Sequence, residues 1–215
     1  MHEKNLIVRL ILLVFGLYLC GVGLTFFYFN GLGLDGWNVL HDGLSKVFNV
    51  KIGTAFISVS LMMLTLGILM KEKLGIATIA NALLTGNFMQ ININLGLLKV
   101  QTNLFNGLMF TLIGMIITGF GYYFYMGVGL GSGPRDSFVM AVSRKIHVKV
   151  GYVKSIIEVI AIIVGYLIGG NFGVATIVIA IFTGIIIQKV FDLLKFNPKS
   201  IEQESVTDII KKLKK

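Results

Sequence analysis

The chain has 215 residues, of which 55% are hydrophobic and only 13% charged, and it carries a formal charge of +9. Soluble domains hold roughly 25% charged residues, so the composition excludes water as the main solvent. The positive charge does not mark a nucleic-acid binder, because the lysines and arginines flank apolar runs instead of forming a basic stripe with stacking aromatics.

Each apolar run has the length, about 20 residues, that a helix needs to cross the hydrocarbon of a bilayer. Helices are the expected spanning element because lipid offers the backbone no hydrogen-bond partner. Six are predicted, over residues 6–29, 53–70, 74–97, 104–126, 151–169 and 172–194. The first follows Lys4 and Arg9, exceeds the apolar region of a signal peptide and has no A-x-A-like cleavage site before Gly31. It therefore reads as a retained helix. Cys20 within it has no partner for an intramolecular disulfide and reads as helix filling.

The stretch Gly31-Leu32-Gly33-Leu34-Asp35-Gly36 fits G-x-G-x-x-G, but a dinucleotide fingerprint follows a buried strand, and here a spanning run precedes it. Its glycines are expected to permit a sharp turn or a close helix contact. Between Trp37 and Phe48, the apolar residues Trp37, Leu40, Leu44, Val47 and Phe48 recur at helical spacing opposite Asn38, Asp42, Ser45 and Lys46. A helix of about 12 residues is roughly 18 Å long, too short to span. It either lies at the interface or re-enters partway. Pro134 sits at the natural first position of a second short helix, followed by Arg135 and Asp136, with Phe138, Val142 and Ile146 on one side.

Both loops thus direct a helix N-terminus, with free N–H groups, out of a glycine turn, and such an end attracts anions. Asp35, Asn38, Arg135 and Asp136 become candidate solute-binding residues. Arg135 could hold a carboxylate or phosphate. Otherwise it pairs with Asp136 or another loop, or faces lipid headgroups.

Sliding the chain against itself by 98 residues aligns Val50-Lys51-x-Gly53 with Val148-Lys149-x-Gly151, and Gly75-x-Ala77-Thr78-Ile79 with Gly173-x-Ala175-Thr176-Ile177. Ala82, Thr85, Gly86 and Gln90 meet Ala180, Thr183, Gly184 and Gln188. For the glycine loops, a register shifted by two pairs Gly31-x-Gly33-Leu34 with Gly127-x-Gly129-Leu130. The repeated unit is one span, a Gly-rich loop with a short amphipathic helix, and two more spans. Three crossings per unit invert the second unit relative to the first, provided that the short helix does not cross. The expected fold is an all-α integral membrane domain over residues 1–215, with six transmembrane helices in two inverted repeats. The repeats cover about residues 6–97 and 104–194, and a tail covers 195–215. On the third span Gly75, Thr78, Ile79, Ala82, Thr85, Gly86 and Gln90 share one face. That face is either a small-residue packing seam or, with its mates, a polar lining made by Thr85, Gln90, Thr183 and Gln188.

With a cytoplasmic N-terminus, the cytoplasmic side receives Lys4, Arg9, Lys71, Lys73, Arg135, Arg144, Lys145, Lys149 and the lysines of the tail, leaving Lys46, Lys51 and Lys99 outside. This segregation obeys the positive-inside rule and places both termini in the cytoplasm. The tail spaces Ile201, Val206, Ile209, Ile210 and Leu213 among lysines, as in a helix lying on an anionic inner leaflet.

The three histidines, His2, His41 and His147, form no ligand cluster and read as surface residues, so no metal is expected. No G-x-S-x-G elbow or nucleophile–base pair is visible, so neither an enzyme nor a cofactor is expected. Glu158 lies about two turns inside the fifth run, where a carboxylate is a functional candidate. Lys154, four residues earlier, either neutralises it or snorkels to the boundary.

At Gly131-Ser132-Gly133-Pro134-Arg135-Asp136-Ser137-Phe138, and at Gly33-Leu34-Asp35-Gly36-Trp37-Asn38-Val39-Leu40 through Gly43-Leu44, the sequence resembles the YczE/YyaS/YitT group, most closely its YczE-like branch. Members usually have proline where this chain has Gly36. The resemblance implies a multi-pass protein of the bacterial plasma (inner) membrane and carries over no catalytic or binding residues. The residues themselves lead to the expectation of a small-solute permease or exporter that uses inverted halves for alternating access, with the bilayer and a small-molecule solute as partners. The alternative is a non-transporting accessory protein that holds a protein partner at the membrane. A cavity lined by Glu158, Gln90, Gln188 and the loop ends favours the first, and a solid helix seam favours the second.

Overall fold

The computed structural model describes residues 5–72 and 74–213, so His2, Lys4, Lys73 and Lys215 lie outside the described residues. Helices form from the apolar runs: α1 (Leu6–Phe29), α3 (Ile52–Leu69), α4 (Ile76–Leu95), α5 (Leu104–Gly127), α7 (Val150–Leu167) and α8 (Val174–Leu193). The short α2 (Gly36–Val47) and α6 (Pro134–Ile146) follow the glycine loops, and α9 (Val206–Leu213) ends the chain. The described residues contain no strand. Five helices, α1, α3, α5, α7 and α8, are long and apolar enough to cross a membrane. Helix α4 also has 20 residues, but Asn81, Asn87, Gln90, Asn92 and Asn94 make it more polar.

Helix starts follow local chemistry. Asn5 and Asn103 accept from the backbone N–H groups of Ile7 and Asn106, capping α1 and α5. The Thr78 and Thr176 hydroxyls accept from the N–H of Gly75 and Gly173 at 3.2 and 3.1 Å, so α4 and α8 begin alike.

Helices α1 and α5 cross antiparallel at the centre through glycines. A Cβ on Gly16 would meet the Gly121 carbonyl oxygen at 2.8 Å, and one on Gly23 would meet that of Gly114 at 2.8 Å. Only glycine allows this approach. The central seam therefore lies on α1 and α5, whereas the small-residue face of α4 packs against α1 and α3.

The two glycine loops brace opposite halves. Ala175 N–H donates to the Leu32 carbonyl at 2.9 Å, and Ala77 N–H donates to the Leu130 carbonyl at 2.9 Å. Gly31 and Gly129 have φ of 70° and 67°, while Gly33 and Gly131 have φ of 114° and 121°. The loops thus match at the same 98-residue spacing as the helices, which corrects the two-residue shift inferred from Gly-x-Gly-Leu. The left-handed backbone, rather than the letters, identifies the equivalent glycines.

Gly131 combines a positive φ with close contact, since its Cβ would stand 2.6 Å from the Gly75 Cα, whereas Gly169 has φ 89° and open space around it. Strain alone costs about 1 kcal/mol or more, and a backbone clash adds to it. Gly131→Ala is therefore expected to lower the unfolding midpoint of the purified protein by several degrees more than Gly169→Ala. Equal shifts would contradict the loop brace.

The tail docks onto the helices. Ile209 is buried beside Leu13, Leu17, Ala77 and Tyr125. Ser205 and Asp208 cap α9 reciprocally, with Ser205 N–H donating to the Asp208 carboxylate and Asp208 N–H to the Ser205 hydroxyl. Val206 N–H donates to the Leu74 carbonyl and Glu204 N–H to the Gly129 carbonyl. Arg9, expected only as a flanking charge, is buried: its Nε donates to the Val128 carbonyl at 2.8 Å, and its guanidinium pairs with Glu204 at 2.7 Å. A loop carbonyl without a helical partner needs such a donor.

Candidate functional site: a cavity beside the second glycine loop

Helix α6 begins at Gly133-Pro134 because proline lacks the N–H that a first helical turn leaves free. This start carries Arg135 toward the first half. The guanidinium lies between the rings of Trp37 and Phe56, 4.8 and 4.7 Å from their centroids. Stacked aromatic faces attract a guanidinium. Its NH2 group also lies 3.4 Å from His41 Nε2.

Arginine only donates, so His41 Nε2 accepts and Nδ1 carries the proton. That proton goes to the Asn38 side-chain oxygen at 2.8 Å, and the Asn38 amide donates to Asp35 at 2.5 Å. A polarised chain therefore runs from Arg135 through His41 and Asn38 to Asp35. His41 and Asn38 are both fully buried, which corrects the reading of His41 as a surface residue. Arg135 neither pairs with Asp136 nor turns to headgroups, and its Nε has no partner.

A cavity of about 740 Å³ opens next to this chain, between α7 and α8. Asp35, Arg135, Asp136, Lys154 and Glu158 form its polar wall, and Thr85, Thr118 and Thr183 also line it, with hydroxyls that lack partners and are closed off from solvent, that of Thr118 packed against Gly23. Thr85 and Thr118 are buried, at 3% and 6% exposure. Buried polar atoms normally find partners, and the orphaned Arg135 Nε beside this charged wall marks the cavity as a place for a polar occupant. Lys154 pairs with Asp136 at 3.2 Å and not with Glu158. Gln90 and Gln188 do not line the cavity: Gln90 accepts from Gly53 N–H at 3.2 Å, and Gln188 donates to Asp192 at 2.8 Å. Among the described residues no group of three or more metal-ligating side chains occurs.

Sequence reasoning missed Trp37, Phe56, Tyr122, Thr118 and Cys20 as lining residues. One signal was available for the last two, since Cys20 and Thr118 stand 98 residues apart and border the cavity from α1 and α5, each packed against a glycine of the other helix.

A family model described as a family of unknown function, DUF6198, matches residues 7–192. The chain belongs to that family. It is 30% identical over 182 residues to the uncharacterized membrane protein YczE of Bacillus subtilis (strain 168), covering 83% of this chain and 80% of that one. It is also 30% identical over 177 residues to an uncharacterized protein of Haemophilus influenzae (strain Rd), covering 82% of this chain and 80% of the relative. The YczE-like character read from the two loops is thereby established, and with it a multi-pass membrane protein. No solved structure matches the chain.

The two halves differ at one crossing. A Cβ on Gly53 would meet the Gly86 carbonyl oxygen and Gln90 Cβ at 2.6 Å, and one on Gly86 would meet the Phe56 ring at 2.8 Å. The mates Gly151 and Gly184 have nothing within 4 Å. Helices α3 and α4 are packed, whereas α7 and α8 stand apart with the cavity between them.

Proposed function

We propose that the protein is a small-solute carrier rather than an enzyme, with six spans in two inverted three-helix repeats and both termini in the cytoplasm. Helix α4 is the sixth span in this reading. The antiparallel crossing of α1 with its repeat mate α5 supports inversion, and the segregation of basic residues supports the orientation. In that orientation Gly53 and Gly86 lie toward the outside, and Gly151 and Gly184 toward the cytoplasm.

One observation carries the carrier reading. The same pair of glycines is closed in one half and open in the other. Exchanging the two arrangements by closing α7 on α8 and parting α3 from α4 would move the opening of the cavity from one side of the membrane to the other. That is alternating access around a fixed central site. An accessory protein that only holds a partner needs neither the cavity nor the asymmetry. The solute enters from the cytoplasmic side in the conformation described, which fits an exporter as well as the inward state of an importer.

The chain's single cysteine, Cys20, lines the cavity and supplies the test. A membrane-impermeant thiol reagent is expected to modify Cys20 from the cytoplasmic face of inside-out vesicles and, more slowly, from the external face of intact cells. Modification from one face alone under every condition would sink alternating access.

A further inference from the structure

The wall of the cavity carries two cations, Arg135 and Lys154, and three carboxylates, Asp35, Asp136 and Glu158. Most of this charge is already engaged. Lys154 and Asp136 pair with each other, and Asp35 ends the hydrogen-bonded chain through Asn38 and His41. Two groups remain. Arg135 has an Nε without an acceptor, and Glu158 makes no hydrogen bond or ion pair, with Arg135 or with any other described residue.

From this remainder we propose that the cavity takes a small zwitterion of the α-amino-acid type, with its carboxylate on Arg135 and its ammonium on Glu158. The inference rests on the carrier reading and names the class of solute carried. A simple anion would satisfy Arg135 but leave Glu158 unpaired against a second negative charge. A simple cation would satisfy Glu158 and leave the guanidinium without an acceptor. A group with both charges a few ångströms apart satisfies both and adds no net charge to a partly buried wall, where uncompensated charge is costly.

The remaining walls suit the rest of such a molecule. Leu24, Phe27, Ile179, Ile187 and Phe191 give an apolar side that accepts an aliphatic or aromatic side chain. A volume of about 740 Å³ accommodates a molecule of this size with its water.

Trp37 is the only tryptophan in the chain and lies against Arg135, so its emission reports on the site. The probes are L-leucine, L-methionine, 4-methylpentanoic acid and 3-methylbutylamine, titrated into the full-length protein in lipid nanodiscs. The expected result is a saturable change with at least one amino acid and at least tenfold weaker binding of the acid and the amine. Glu158→Gln should erase the advantage of L-leucine over the acid, and Arg135→Lys should weaken L-leucine at least tenfold by removing the planar donor fork. Equal binding of acid and amino acid with an indifferent Glu158→Gln would overturn the proposal in favour of an anion site. Equal binding of amine and amino acid would overturn it in favour of a cation site. No response to any probe, in a protein whose Cys20 is still modified from both faces, would overturn the solute class while leaving the carrier reading standing. Loss of two-sided modification would instead count against the carrier.

Discussion

Gly184→Leu is expected to abolish transport while leaving the fold intact, and Gly53→Leu to abolish it with the opposite effect on accessibility. Gly184 faces open space, so a leucine there is accommodated in the conformation described, yet it prevents α8 from reaching Gly151. Gly53 already touches Gly86 and Gln90, and a side chain there forces α3 away from α4. Overpacking a tight crossing costs about 1–3 kcal/mol, enough to shift a balance between two conformers by about fivefold or more. Cys20 should therefore be modified from the cytoplasmic face alone in Gly184→Leu. In Gly53→Leu it should be modified mainly from outside. Thiol labelling in sealed vesicles of known orientation reads both, and identical labelling of the two variants would refute the gating role of these glycines.

The second large effect falls on stability. Arg9 is buried at 8% exposure, bonds two carbonyls of the second glycine loop and pairs with Glu204 of the tail. Removing one member of a buried ion pair costs about 3–5 kcal/mol. Arg9→Ala should approach that cost, because the Val128 carbonyl loses its donor together with the ion pair, while the Gly129 carbonyl keeps the Glu204 N–H. Glu204→Ala should cost less, since Arg9 keeps both carbonyls. Thermal unfolding of the purified variants orders them, and the reverse order would show that the tail, not the loop, holds this end of the molecule.

The sequence was most informative where lipid dictates the answer. Apolar runs must become helices, so the predicted limits 104–126 and 6–29 lie within one residue of α5 and α1. The helix repeat was legible because Thr78 and Thr176, or Gly86 and Gly184, are the same residue at the same spacing. The loops were misaligned because Gly-Leu-Gly can be matched in two registers and only φ distinguishes them. Asp35, Arg135, Asp136 and Glu158 were legible as candidates, Glu158 because charge inside a span is rare and the others because they stand at the helix starts that follow the glycine loops. His41 and Trp37 were not, because their placement in the short helix α2 depends on a partner about 94 residues further along the chain, Arg135. The docking of the tail was not legible for a related reason: the Arg9–Glu204 pair that holds it joins residues 195 positions apart.

The repeat also holds a mismatch. Phe56, whose ring seals the closed crossing against Gly86, occupies the position 98 residues before Lys154, which now points toward Asp136 with its side chain 59% exposed. In the proposed cycle, closing α7 on α8 carries Lys154 to the place that an aromatic ring holds in the other half. An ammonium enters such a crossing only with a counter-charge, because stripping its water costs several kcal/mol. Glu158, one turn further along α7, is that counter-charge only when nothing else claims it. Idle and loaded molecules then close differently: the empty protein closes with Lys154 paired to Glu158, whereas the loaded one closes only if Lys154 keeps Asp136 as its partner, so a single pair of mates, phenylalanine and lysine, makes turnover depend on occupancy.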